Sequence, residues 1–227
     1  MGQNHILQLL ALFTMESPER FDGNSVRNAR TKALRSLTMS KGVEIARQTT
    51  RGQYEGYLQE KDVLPESKTE TYFKIQTVLK NPHWKDVPIT LESGKAMDRD
   101  HVEVEVVFRH PIPCLCPLEG GKHYKNILHY YIQPKEAISL SLWVKKPGPT
   151  MVIEEKDISF DYKKAFEGEE FTEAYERLLL NIIQGDQTLF VSTEEIMASW
   201  KFVDSILRGW EKQQIPLVIY PKGASVI

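Results

Sequence analysis

The run from Val102 to Phe108 (VEVEVVF) constrains the fold more than any other feature, because apolar and acidic residues alternate in it almost strictly. This period of two predicts a β-strand with one buried face and one face that is wet or covered by a partner. Three further segments carry strand signals, at 69–79, 126–132 and 137–144. Few helical segments separate these strands, so we expect largely antiparallel pairing.

Helical patterns precede this strand-rich region. A first helix is predicted from a stripe at the spacing i, i+3, i+4, i+7, and Ser17-Pro18 ends it. The stripe consists of Ile6, Leu9, Leu10 and Phe13. A second helix is predicted from about Asn24-Ser25 to Leu37. Its inward residues are expected to be Val26, Ala33, Leu34 and Leu37, and its outward residues Arg27, Arg30 and Lys32.

Helical patterns return after the strands. Residues 172–184 (TEAYERLLLNIIQ) are amphipathic and stop at Gly185. A longer helix is predicted over 192–210, where Ser192 and Glu195 form a capping box. We expect this helix to bury Ile196, Trp200, Val203 and Leu207. The order helix, sheet, helix predicts one α+β domain over residues 1–227.

The composition limits the class of protein. The chain has 227 residues and a formal net charge of −2, which argues against nucleic acid as a general partner. Two cysteines, Cys114 and Cys116, are too close in sequence to favour a structural disulfide, and scarce cysteine indicates a reducing cytoplasm. The apolar run from Ile6 to Met15 is too short to span a bilayer and lacks a basic leader, so no membrane association is expected.

Little catalytic chemistry is visible in the residues alone. Neither nucleotide-binding fingerprint is present, and Gly52 and Gly56 fit turns. Metal binding is an alternative for one proline-rich loop, although Cys-x-Cys with loose histidine spacing favours a structural loop. The four candidate ligands are His110, Cys114, Cys116 and His123.

Lys95 follows Gly94 just after a short apolar run at 89–91. A lysine at a strand end can present its ammonium to a phosphate or a sugar oxygen. A solvated loop lysine is the alternative that the residues alone favour.

Seven motifs occur in an order that resembles the C-terminal half of the glucose-6-phosphate dehydrogenases, and together they cover nearly the whole chain. They are MGQNHILQLLAL, RGQYEGY, TETYFKIQTVLKNPHWKDVPITLESGK, YYIQP, KKPG, EAYERLLLNIIQGDQTLF and EEIMASW.

The resemblance implies an α+β fold with a large, mostly antiparallel sheet flanked by helices. It also implies packing against an N-terminal dinucleotide-binding domain, with the active site between the two domains, and a homodimer formed through the sheet. The implied reaction is hydride transfer from C1 of glucose 6-phosphate to NADP, giving 6-phosphogluconolactone in the pentose phosphate pathway. The cofactor is expected to be bound mainly by the N-terminal domain.

The resemblance assigns substrate contacts to two residues of this chain. Lys95 matches the lysine of the family's GK motif, close to the sugar phosphate, and Gln133 matches the glutamine of its IQP motif. Where the family usually has a basic residue five positions after the GK lysine, this chain has Asp100, and Arg99 is the candidate substitute. The usual arginine of the IQP segment is replaced by Tyr131.

Other departures concern the cofactor and the base. Some members hold a second, structural NADP in this half, and here acidic or neutral residues replace most of its basic contacts. These positions are Glu92, His101, Glu105, Tyr131 and Ser141. The family's nucleotide fingerprint and catalytic HYLGKE-type motif are expected to precede Met1, so no catalytic residue is assigned and the chain alone is expected to be inactive. The alternative is a free-standing module that oligomerises with or regulates a full-length relative.

Overall fold

A computed structural model describes residues 1–39, 45–109, 124–169 and 171–225. The chain divides into two compact units, each described separately below. The first unit comprises Met1–Asp98 and Thr172–Ile227, and the second comprises Arg99–Phe171.

The helices and strands have the following bounds. After a wide helical turn at Gly2–Ile6, the helices are α1 (Leu7–Thr14), α2 (Gly23–Ser36), α3 (Ile45–Gln48), α4 (Tyr162–Ala165), α5 (Ala174–Gln184) and α6 (Thr193–Lys212). The strands are β1 (Leu37–Thr38), β2 (Thr49–Tyr54), β3 (Tyr72–Leu79), β4 (Ile89–Gly94), β5 (Val102–Val107), β6 (Ile127–Gln133), β7 (Ala137–Lys145), β8 (Ile153–Asp161) and β9 (Leu217–Tyr220).

The first unit packs helices on a sheet whose central strand is β3. This strand pairs antiparallel with β1, β2 and β4. β2 pairs with β9 in parallel, bringing the end of the chain back to the sheet. The core contains side chains from α1, α2, β3, β4 and α6, among them Leu7, Leu34, Ile75, Leu91 and Ile206.

The predicted orientation of Arg30 on α2 is wrong. Val26, Ala33 and Leu34 are buried as expected, but Arg30 is also buried, with 4% of its surface exposed. Its Nε lies 2.7 Å from Oε1 of Glu195, whose side chain is fully buried. A buried guanidinium is tolerated here because a carboxylate and backbone carbonyls satisfy its donors.

The predicted buried face of α6 is also wrong. Ile196, Trp200 and Leu207 are exposed and Val203 is half-buried. The buried residues are Glu195, Ala198, Ser199, Phe202, Ile206, Gly209 and Trp210. The prediction was therefore one residue out of phase, or about 100° around the helix. Because the capping carboxylate of Glu195 also binds the buried Arg30, the ion pair turns this side of α6 inward.

A smaller shift affects α1. The predicted stripe followed the largest apolar residues, whereas Leu7, Ala11 and Thr14 are the most buried. Ile6 and Leu10 pack at the margin of the core. The Thr14 hydroxyl donates to the Leu10 carbonyl at 2.7 Å, which allows a polar residue to face the core.

The second unit is a four-stranded antiparallel meander in the order β5-β6-β7-β8. Its register separates two faces. One row across the sheet is Val104, Tyr130, Ile138 and Phe160, and the next such row is Val106, Leu128, Leu140 and Ile158. These eight residues are called the apolar face. A row on the opposite face is polar and consists of Glu105, His129, Ser139 and Ser159.

The α+β class with mostly antiparallel pairing is confirmed, and the strands form two sheets. All four strand predictions and the predicted stop of α5 at Gly185 agree with the structure within a few residues. The single domain over 1–227 stays a prediction. No helix in the described ranges is long and apolar enough to cross a membrane.

Candidate functional site

Lys95 lies at the start of a tight turn that follows β4. Its backbone N–H donates to the Thr71 carbonyl at 2.8 Å, which extends the β3–β4 pairing into the turn. Glycine is required at position 94, because a Cβ there would lie 2.7 Å from the Met97 sulfur and 2.8 Å from the Tyr72 ring. Gly94 is therefore a position where the backbone passes close to the side chains of Met97 and Tyr72.

Tyr220 of β9 forms hydrogen bonds with the backbone of this turn and with Thr71. Its hydroxyl donates to the Lys95 carbonyl at 2.8 Å and lies 2.9 Å from the Thr71 hydroxyl. The tyrosine is only 2% exposed, and this burial raises the pKa of its hydroxyl above the usual value. The hydroxyl therefore stays protonated at neutral pH and continues to donate.

The chain beyond Tyr220 holds the other side of the turn. The Gly223 N–H donates to the Ala96 carbonyl at 2.8 Å, and the Asp98 N–H donates to the Ala224 carbonyl at 3.1 Å. Backbone bonds thus fix the turn on two sides while the Lys95 side chain remains exposed. Within the described ranges, no carboxylate lies at ion-pair distance from its ammonium.

Glu92 is the acidic residue of β4, three positions before Lys95. Its carboxylate accepts a 2.8 Å hydrogen bond from the Tyr72 hydroxyl and lies 3.1 Å from the Lys74 ammonium. Burial, followed by the bond to Glu92, raises the pKa of Tyr72 well above its usual value. Since Glu92 already has these partners, the charge of Lys95 remains available to an external anion.

Gln133 ends β6 in the second unit, where it is exposed. It lines a shallow cavity of about 330 Å³ together with Asp100, Ile132, Pro134 and Glu136. The two carboxylates disfavour a phosphate dianion in this cavity, whereas a neutral amide and carboxylate oxygens suit hydroxyl groups.

Arg99 is exposed and engaged in an interaction. It precedes Asp100 at the start of the second unit, so Arg99 and Gln133 belong to one unit and Lys95 to the other.

Sequence reasoning missed the role of the RGQY motif. Gly52 was predicted in a turn but lies inside β2, where a Cβ would be 3.1 Å from the Val218 carbonyl oxygen. Gln53 is buried and donates to the carbonyls of Ser67 and Thr69. Gly56 does occupy a turn, with a φ of 89°. The motif therefore positions β9, and through it Tyr220 and the Lys95 turn.

No group of three or more histidine, cysteine, aspartate or glutamate side chains in the described ranges is arranged to hold a metal ion. The four ligands considered from the sequence (His110, Cys114, Cys116 and His123) lie outside the residues that the structure describes.

Comparison with known proteins matches residues 1–225 to the family model "Glucose-6-phosphate dehydrogenase, C-terminal domain". The glucose-6-phosphate 1-dehydrogenase of Borreliella burgdorferi is 36% identical over 225 residues, which are 95% of this chain and 47% of that protein. The enzyme of Dictyostelium discoideum is 34% identical over 226 residues, which are 98% of this chain and 45% of that protein.

The solved structures that resemble this chain are also glucose-6-phosphate dehydrogenases. A glucose-6-phosphate dehydrogenase in complex with its substrate glucose 6-phosphate matches with a TM-score of 0.86 at 32% identity, covering 99% of this chain and 47% of that one. The Mycobacterium avium enzyme matches with a TM-score of 0.81 at 25% identity. The chain spans about half the length of the curated relatives it matches. It belongs to the glucose-6-phosphate dehydrogenase family, of which it forms the C-terminal domain.

Proposed function

We propose that this chain is the substrate-binding and dimer-forming half of an NADP-dependent glucose-6-phosphate 1-dehydrogenase. The whole enzyme oxidises glucose 6-phosphate to 6-phosphogluconolactone in the pentose phosphate pathway of the cytoplasm. The observation that carries this proposal is the match over residues 1–225, together with the substrate complex that resembles this fold. The exposed Lys95 ammonium on its fixed turn supports it.

Lys95 and Gln133 have different proposed roles. Lys95 supplies positive charge to the sugar phosphate, because its ammonium is exposed and its carbonyl is held by Tyr220. The amide of Gln133, beside Asp100 and Glu136, contacts sugar hydroxyls. Arg99 supplies a second positive charge in place of the basic residue missing at position 100.

The catalytic base and most of the cofactor contacts belong to the preceding half of the enzyme. NADP bound by that half would supply the hydride acceptor. A second, structural NADP is not proposed for this chain, since a carboxylate stands at Glu105 and Ser141 donates to Asp157 at 2.6 Å. Carboxylates disfavour the phosphates of such a cofactor.

Substitution of Lys95 tests the proposed substrate contact. In the enzyme reassembled from the preceding half and this chain, Lys95→Ala is expected to lower kcat/KM by roughly ten- to a hundredfold, because a charged hydrogen bond contributes about 1.5–3 kcal/mol. Most of the loss is expected in the KM for glucose 6-phosphate, with little change in the KM for NADP. Lys95→Arg is expected to recover only part of the activity.

The matched control is Lys85→Ala, which removes another exposed lysine of the first unit. Steady-state kinetics on the three variants separate the outcomes. A Lys95→Ala enzyme within twofold of wild type would make Lys95 a solvated loop residue. The 227-residue chain alone is expected to reduce no NADP, and a reassembled enzyme without activity would favour the regulatory module instead.

The homodimer is proposed to form through the apolar face of the second unit. Ile158 is 64% exposed and Phe160 46% exposed on neighbouring rows of this face. Monomers seldom leave such a broad apolar surface uncovered. A two-fold contact between identical faces would cover both copies at once.

Ile158→Glu tests this contact, because the substitution places a charge at the most exposed residue of the apolar face. Light scattering is expected to show a dimer for the wild-type chain at tens of micromolar and a shift of at least tenfold in the dissociation constant for the variant. Ser159→Glu, on the polar face, is the control. A wild-type chain that remains monomeric in this range, or an unchanged dimer of Ile158→Glu, would contradict the proposal.

A further inference from the structure

The surface of α5 carries large apolar side chains that are exposed to solvent. Four large side chains at the spacing i, i+4, i+7, i+8 form one stripe along this 11-residue helix. Their exposed fractions are 82% for Tyr175, 60% for Leu179, 61% for Ile182 and 82% for Ile183. These four residues are called the α5 stripe. An amphipathic helix normally turns such a stripe towards a core.

The C-terminal end of α5 is fixed, although the helix itself buries no side chain. Gly185 takes a left-handed conformation, with a φ of 69°. The Asp186 N–H then donates to the Asn181 carbonyl at 2.9 Å. The Asp186 carboxylate in turn accepts bonds from the backbone and hydroxyl of Thr188, at 2.9 and 2.6 Å. This closes the helix in a defined geometry.

The loop that follows, residues 185–192, is fastened to the core of the first unit by buried charge. Arg30 donates to the carbonyl of Thr188 at 3.1 Å and to that of Phe190 at 2.8 Å. The same guanidinium pairs with Glu195, whose Oε2 accepts the Ser192 N–H at 2.7 Å. The segment that follows α5 is therefore held by a buried polar network, while the apolar stripe of α5 is exposed.

We infer that the α5 stripe is the docking surface for the preceding half of the enzyme. This inference rests on the proposed function for the identity of the partner. The matched family model is a C-terminal domain, and the chain spans only 47% of the Borreliella burgdorferi relative, so a half of similar size precedes the matched region there. Such a half needs an apolar contact that keeps a constant position relative to the core of the first unit.

The size of the stripe favours a tethered partner over a second copy. An 11-residue helix is about 16 Å long. Four side chains along it bury much less than the ~800 Å² per partner of a standard interface between separate molecules. Interfaces within one chain function at about 600 Å² in total, because the tether supplies an effective concentration in the millimolar range. The broader apolar face of the second unit is better suited to a second copy.

Cysteine labelling tests the inference. Ile183→Cys is made in the 227-residue chain and in a chimera that joins the preceding half of the Borreliella burgdorferi relative to residue 1. Mass spectrometry follows alkylation of the peptide that contains position 183, so other cysteines do not interfere. The rate at position 183 is expected to fall at least tenfold in the chimera, because docking covers the side chain.

Arg177→Cys is the matched control, since position 177 lies on the opposite side of α5 from the stripe. Its labelling rate is expected to change less than twofold. Equal rates at position 183 in chain and chimera, or equal slowing at both positions, would overturn the inference. A rate at position 183 that falls with the concentration of the 227-residue chain alone would assign the stripe to a second copy and would also overturn it.

A second measurement tests the inference if the chimera does not fold. The preceding half is added as a separate protein, and the labelling rate at position 183 is expected to fall saturably with its concentration. No slowing in either arrangement refutes the docking. Dehydrogenase activity of the chimera reports on the proposed function independently. Activity with an unprotected stripe refutes the docking inference alone, and a protected stripe without activity refutes the proposed function alone.

Discussion

The two units of this molecule reach order by different means. The first buries large side chains completely, with Leu7 and Ile206 each 1% exposed, and encloses the Arg30–Glu195 pair among them. In the described part of the second unit, Ala137 is the only buried side chain, and it is 8% exposed. Its strands pair in register except at Val102/Glu103, yet both faces of the sheet remain partly open to solvent.

The difference in burial between the two units predicts different effects of substitutions in each. A unit with its own core can hold the Lys95 turn in place without a partner. A sheet with one apolar and one polar face gains most of its stabilisation by covering the apolar face. We therefore expect substitutions in the first unit to change folding and those in the second to change assembly.

The largest effect is expected for Arg30→Ala. Removing the guanidinium leaves the buried Glu195 carboxylate without a counter-ion and two carbonyls without a donor. This is expected to lower the free energy of unfolding by about 3–5 kcal/mol. Urea denaturation followed by circular dichroism measures this change in the free energy of unfolding. Arg27→Ala, on the same helix and half-buried, is the control and is expected to cost about 1 kcal/mol. A loss below about 1 kcal/mol for Arg30→Ala would mean that water replaces the ion pair.

A pair of isoleucine substitutions compares the two units directly. Ile206→Ala is expected to destabilise the first unit by about 2–5 kcal/mol, because it opens a cavity in a packed core. Ile158→Ala is expected to lower stability by less than about 1 kcal/mol in dilute solution, because its side chain is already mostly exposed. Amide hydrogen exchange, measured separately for each strand and helix, gives the destabilisation caused by each substitution. Equal destabilisation of all strands by Ile206→Ala would indicate that the two units unfold as the single domain predicted from the sequence.

The smallest effect concerns Tyr220 under the Lys95 turn. Tyr220→Phe removes the hydroxyl that bonds to the Lys95 carbonyl and to the Thr71 hydroxyl, and it is expected to cost about 1–2 kcal/mol near pH 7. The pKa of Tyr220 is raised by burial, so the folded state retains this proton more tightly than the unfolded chain. Its contribution is complete below the unfolded pKa of about 10 and is lost as the pH rises beyond it.

Thermal unfolding between pH 7 and 11 checks this dependence. The wild-type chain is expected to lose stability above about pH 10, and Tyr220→Phe is expected to lose less over the same interval. Tyr72, whose pKa is also raised, accounts for part of the remaining decline. Identical pH profiles for the two proteins would show that Tyr220 does not titrate differently in the folded state.

The sequence was sufficient to predict local structure. The alternation over 102–108 predicted β5, the Ser192–Glu195 capping box predicted the start of α6, and Gly185 predicted the end of α5. These signals act over a few residues, where hydrogen-bond geometry and side-chain period are decisive. The ordered motifs predicted the family, which the matches over the whole chain confirm.

Which side of a helix faces inward was decided by the tertiary structure. Apolar spacing placed the buried face of α6 one residue away from its actual position and put Arg30 in solvent. The cause is a contact between residues 165 positions apart, since burying Arg30 with Glu195 determines the orientation of both helices. The spacing of apolar residues within one helix cannot predict an ion pair with a residue of another helix.

The candidate site shows the same division. The sequence by itself determined that a Gly-Lys pair follows a strand and that Gln133 ends another, and the motifs assigned both to substrate. Only the tertiary structure decided that the Lys95 turn is held by Tyr220, 125 residues later in the chain. Local residues specify the chemical group, whereas its fixed position comes from strands that meet in the sheet after distant parts of the chain have packed.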